Sequence, residues 1–227
     1  MADQQSDGTG HRARLRKRLF QDGPEALHDH ELIEYLLALT IPRRDTKALA
    51  KSLIGKFGSV GALLSAEPDA IARAGNLSES SVAAIKIAEA AALRLLKSRI
   101  EDKPVLGSWQ ALLDYLHADM AHHAVEQVRV LYLNSKNMLI RDELLSEGSV
   151  DEAAVYVREI VRRALDCHAV ALILVHNHPS GDPQPSQQDI RLTREIIDAT
   201  RHLKIAVHDH VIVGTKGHAS MRALGLI

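Results

Sequence analysis

The chain has 227 residues, 46% of them hydrophobic, which suits one large or two modest globular domains. A formal charge of -1 excludes the global basic excess that nucleic-acid or acidic-membrane binding usually demands, so any such contact has to come from a local patch. A single cysteine, Cys167, excludes an internal disulfide framework, and no apolar run approaches the roughly 20 residues of a membrane-spanning helix, which makes the cytoplasm the expected compartment.

Residues 1–10 are polar and lack periodicity, and are expected to form a disordered leader. The stretch HRARLRKRLF follows, with Arg12, Arg14, Arg16, Lys17 and Arg18 crowded around Leu15 and Leu19. Its leucine spacing predicts a short amphipathic helix, whose charges either face solvent or meet phosphates. From Leu27 to Ile100 apolar residues recur at three- and four-residue spacings, and Pro42, Gly58, Pro68 and Gly75 divide the region into four or five helices. The last of these is expected over about Glu79–Ser98. Charged residues ending in Pro104 read as a linker, which gives an all-α domain over 11–103 and a second domain over 104–227.

The second domain reads differently. QVRVLYLN and MLIRDELL are β-rich runs joined by an Asn134–Asn137 turn, and a helix is expected from about Ala153 to Cys167. AVALILV is a continuous apolar run, the pattern of a strand buried on both faces, and it stops at His176. A Pro/Gly-rich loop, a helix over Ser186–His202 and a strand in KIAVHDHVIV complete an α/β domain. Cys167 lies at a helix end among apolar residues and reads as packing.

Chemistry concentrates in HNHPSGDPQPSQQD. His176 and His178 on an extended segment point to one side, because side chains repeat with a period of two, and two imidazoles can then share one ion. Asp189, three residues past the expected helix cap Ser186, can fold back to add a carboxylate. Two nitrogens and one oxygen leave tetrahedral zinc an open position, and water there has its pKa lowered to about 7, which is the design of a catalytic site. The His-x-His spacing alone is weak, since it recurs at His28/His30 and His208/His210 among 13 histidines. Context at the mouth of a buried strand distinguishes the middle pair.

His176-x-His178, seven residues, Ser186, two residues and Asp189 match the JAMM (MPN+) metallopeptidase motif without a gap. HNHPSGDPQPS, the downstream DHVIVG and the REIVRRAL segment further resemble the bacterial RadC family over nearly the whole chain. The resemblance implies a C-terminal JAB/MPN (cytidine-deaminase-like) fold that holds one zinc ion per chain. It also implies an upstream glutamate that activates water for attack on an amide or isopeptide carbonyl of a peptide or protein substrate. Glu126 matches that glutamate, with Glu143 and Glu147 as alternatives. Ser186 matches a serine that stabilises the tetrahedral intermediate, a role that competes with helix capping for one hydroxyl. Two positions depart from the pattern: Asn177 stands where JAMM peptidases often carry Ser or Thr, and Val157 replaces a proline usual in RadC relatives. Asp209 is a candidate to orient a ligand imidazole.

The same resemblance makes the first domain helix-hairpin-helix-like, with phosphate contact through AGNLSES, although only Gly75 of the expected glycine pair is present. Two functions follow: a zinc hydrolase, or a non-enzymatic DNA-associated factor that contacts DNA through Arg12–Arg18. An HNH nuclease is excluded because its motif spreads over a ββα unit, whereas these three letters are consecutive.

Overall fold

The computed structural model describes residues 7–101, 103–148 and 157–227. They form two compact units that divide at Ala92/Leu93. The first unit is helical: α1 (Asp7–Asp22), α2 (Asp29–Thr40), α3 (Lys47–Phe57), α4 (Val60–Ser65), α5 (Pro68–Gly75) and the first half of α6 (Glu79–Glu101). Residues 7–10 of the expected leader belong to α1, and residues 1–6 lie outside the described residues. The core of this unit is Ile33, Leu37, Leu53, Leu63, Ile71 and Ile85, drawn from the apolar faces of successive helices.

Arg12, Arg18 and Gly75, for which phosphate contact was one of two readings, have partners within this unit. Arg12 donates to the main-chain oxygens of Ile41 (3.0 Å), Pro42 (2.6 Å) and Arg44 (2.6 Å), tying α1 to the α2–α3 connection. Arg18 binds Glu31 at 2.8 Å and also the Ala26 carbonyl. A Cβ at Gly75 would lie 2.9 Å from Leu77 and 3.2 Å from Leu53, so this glycine lets helices pack closely.

The second unit begins inside α6, because Leu96 and Ile100 pack into its core rather than into that of the first. α6 itself ends at Glu101, where the charged segment begins. After a 3-10 turn, α7 (Trp109–Met120) adds a helix to the expected elements. Then come β1 (Gln127–Leu133), β2 (Leu139–Glu147), α8 (Val157–Asp166), β3 (Ala171–Asn177), α9 (Gln187–Arg201), β4 (Ala206–Gly214) and β5 (Gly217–Ser220). Residues 153–156 of the expected 153–167 helix lie outside the described residues. The β1–β2 turn closes as expected, with Asn134 Oδ1 accepting from Lys136 and Met138 amides and Asn137 in the left-handed region.

The strands form one sheet in the order β2-β1-β3-β4-β5, antiparallel except for the β3–β4 pair, which α9 connects as a parallel crossover. Side-chain alternation separates two cores. Leu131, Leu133, Ile173, Val175, Val211 and Val213 face α7, whereas Val130, Tyr132, Leu172 and Leu174 face α8 and α9. β3 is buried at every position, as its continuous apolar run requires.

Arg129 joins α7 to the β1–β2 hairpin. It sits 2.8 Å from Asp119 and 3.1 Å from Asp142, and the Tyr115 hydroxyl donates to Asp142 at 2.7 Å. Removing the guanidinium leaves two largely buried carboxylates unpaired. Arg129→Ala is expected to lower stability by about 3–5 kcal/mol in urea unfolding, whereas Arg201→Ala, in an exposed pair with Asp198, should change it by less than about 1 kcal/mol.

Candidate metal centre

β3 carries His176 to the carboxyl end of the sheet on the α8–α9 face, because His176 shares parity with Leu172 and Leu174. His178, two residues on, joins the same face, and the two Nε2 atoms stand 2.9 Å apart. Asp189 arrives from the first turn of α9 through a reciprocal capping box. Its Oδ2 accepts from the Ser186 amide at 2.7 Å, and Ser186 Oγ accepts from the Asp189 amide at 3.1 Å. This box holds the carboxylate with Oδ1 3.5 Å from His176 Nε2 and Oδ2 3.6 Å from His178 Nε2. Glu126, immediately before β1, completes the group with Oε1 4.0 Å from His176 Nε2.

One ligand atom from each of Glu126, His176, His178 and Asp189 falls within 4.8 Å of all the others, so the group could hold a metal ion. Ligands at about 2.0–2.1 Å from a tetrahedral ion lie roughly 3.3–3.4 Å from one another. The separations of 2.9, 3.5 and 3.6 Å among His176, His178 and Asp189 bracket that edge, so the donor set fits. Glu126 stands outside it. The alternatives Glu143 and Glu147 do not enter the group, and Glu143 instead pairs with Arg163 at 2.7 Å.

Burial by itself would push the Asp189 carboxyl up, yet the adjoining imidazoles of His176 and His178 hold it well below the usual carboxylate range. The bond with Asp189 raises His178 against the effect of its burial. Burial raises Glu126, opposed by the two imidazoles. Ser186 caps α9 through an oxygen lone pair, so the capping role does not consume its hydroxyl hydrogen. Capping and hydrogen-bond donation are therefore compatible in this residue.

Three features beyond these residues shape the centre. Asn177 points to the opposite face and is fully buried. Its Oδ1 accepts from the Gln127 amide at 2.8 Å, and its Nδ2 donates to the carbonyls of Val125 (3.2 Å) and His123 (3.4 Å). It thus grips the chain on both sides of Glu126. A side-chain amide carries an acceptor and two donor hydrogens on separate atoms, whereas a Ser or Thr hydroxyl has a single hydrogen, so asparagine suits this three-bond position.

The second nitrogen of His176 meets His210, not Asp209. Asp209 accepts from the amides of His210 (2.7 Å) and Arg222 (3.0 Å) and from the Ser220 hydroxyl, so it secures the C-terminal turn. The loop after β3 rests on the β4–β5 turn. The His178 amide donates to Val213 O at 2.8 Å, the Lys216 amide donates to Gly181 O at 3.1 Å, and a Cβ at Gly214 would run into the Gly181 carbonyl.

Residues 106–226 match the family model described as RadC-like JAB domain. A UPF0758 protein of Rhodobacter capsulatus is 50% identical over 213 residues, covering 94% of this chain and 100% of that protein.

Gly214→Ala is expected to displace the loop that holds His178, costing about 1–3 kcal/mol in urea unfolding and reducing bound metal. Gly107→Ala, where a Cβ meets nothing within 4 Å, should leave metal content unchanged.

Proposed function

The chain belongs to the RadC family, and from that premise we propose that its JAB-type domain is a zinc-dependent hydrolase of amide or isopeptide bonds in a peptide or protein substrate. The observation that carries this reading is the convergence of His176, His178 and Asp189 on one point with the Glu126 carboxylate beside them. Zinc held by those three residues would supply a Lewis acid that polarises a carbonyl and acidifies water.

Glu126 handles the proton. Its Oε1 is buried beside the two imidazoles, 4.0 Å from His176 Nε2. As the oxygen of water attacks the carbonyl carbon, Glu126 accepts the proton released. When the C–N bond breaks, Glu126 returns that proton to the leaving nitrogen and ends as the carboxylate it was. Ser186 donates its uncommitted hydrogen to the carbonyl oxygen as negative charge develops there. Asn177 keeps the Glu126 backbone in register with the ligand strand.

A DNA-associated role draws less support. Arg12 and Arg18 are bound within the helical unit, and Gly75 faces apolar side chains. No described helix is long and apolar enough to cross a membrane.

Two measurements test the reading together: zinc content of the purified chain, and cleavage of a peptide library. Wild type should carry one equivalent of zinc and His176→Ala should lose it. Glu126→Gln should keep the zinc and lose roughly 10²–10⁴-fold in cleavage rate. Stoichiometric zinc with no Glu126-dependent cleavage of any library member would defeat the hydrolase reading.

A further inference from the structure

An imidazole binds a cation through a nitrogen that bears no proton, so the placement of ring protons decides whether these histidines can serve as ligands. For His178 the answer is local. Its Nδ1 lies 2.8 Å from the Asp182 carbonyl oxygen, which can only accept, so Nδ1 bears a hydrogen and Nε2 is the atom turned to the centre.

His176 is different, because its Nδ1 faces another ring nitrogen, His210 Nε2, at 2.8 Å, and either could donate. The answer comes from further along. Thr193 Oγ1 is 2.6 Å from the main-chain oxygen of Asp189, an acceptor, so the hydroxyl hydrogen points there. The Met221 sulfur, at 3.6 Å, is a weak competitor. The same Oγ1 lies 2.6 Å from His210 Nδ1, and with its hydrogen committed it must accept. His210 therefore bears its proton on Nδ1. Its ring is 2% exposed, where burial disfavours a second proton, and its other nitrogen, Nε2, is left to accept from His176. His176 must then donate from Nδ1, which leaves Nε2 as the atom turned to the centre.

We propose that Thr193 and His210 are positioning residues that fix the tautomer of His176, presenting Nε2 as the cation-binding atom. This rests on the proposed role of His176 as a ligand. The relay starts at the main chain of Asp189 and ends beside the carboxylate of the same residue, so one residue both supplies a ligand oxygen and anchors the tautomer of its neighbour. It also turns the two Nε2 atoms, 2.9 Å apart, towards one point, where a shared cation could lie between them.

The full chain labelled with ¹⁵N-histidine is examined by long-range ¹H–¹⁵N correlation with and without zinc, and zinc affinity is measured by chelator competition. In both states His210 should appear as the neutral Nδ1–H tautomer. Thr193→Val should lose zinc affinity by roughly 10- to 100-fold, while Thr193→Ser restores it. Finding the Nε2–H tautomer at His210 would overturn the relay, as would Thr193→Val binding zinc as tightly as wild type. Should Thr193→Val fail to fold, the wild-type spectrum alone decides. The His210 proton position is read without zinc as well, so a chain that takes up no metal would defeat the metal reading while this one is still judged separately.

Discussion

Two imidazole nitrogens facing each other at 2.9 Å, with a carboxylate across both, form an arrangement that a cation shared between them would stabilise. The rest of the second unit holds that arrangement in place. β3 is buried along its whole length, so His176 has no freedom to turn away, and His178 is tied at both its amide and its Nδ1. The fold thus restrains the donors, which lowers the ordering cost of binding an ion.

The chain uses single residues for paired tasks. Asp189 caps α9 and faces the two rings, so the first turn of the helix and the ligand set are fixed by one capping box. Asn177 joins the strand of the histidines to the segment of Glu126 across 50 residues of sequence. The segment that carries Glu126 is thereby held to the His176–His178 strand by three hydrogen bonds.

Much of this was legible in the residues. A continuous apolar run ending at His176 places a ligand pair at the mouth of a buried strand, and Ser186 with Asp189 three residues later is a capping pattern that brings a carboxylate to the same place. What stayed hidden depends on register between distant segments. His210, not Asp209, meets His176 because β3 and β4 pair Leu174 with His210, and neighbouring residues of a strand face opposite sides. The division inside α6 was hidden for another reason: an Ala-rich helix shows no break where Leu96 and Ile100 change packing partners, whereas Pro104 signals only where helix must end. Asn177 looked like a departure because its partners lie far away in the chain.

The most direct test of the shared cation is diffraction from crystals of the zinc-loaded chain on both sides of the zinc absorption edge. A single anomalous peak bonded to His176 Nε2, His178 Nε2 and an Asp189 oxygen at about 2.0–2.2 Å is the predicted result. Zinc bound elsewhere, with those three side chains left apart from it, would contradict the account.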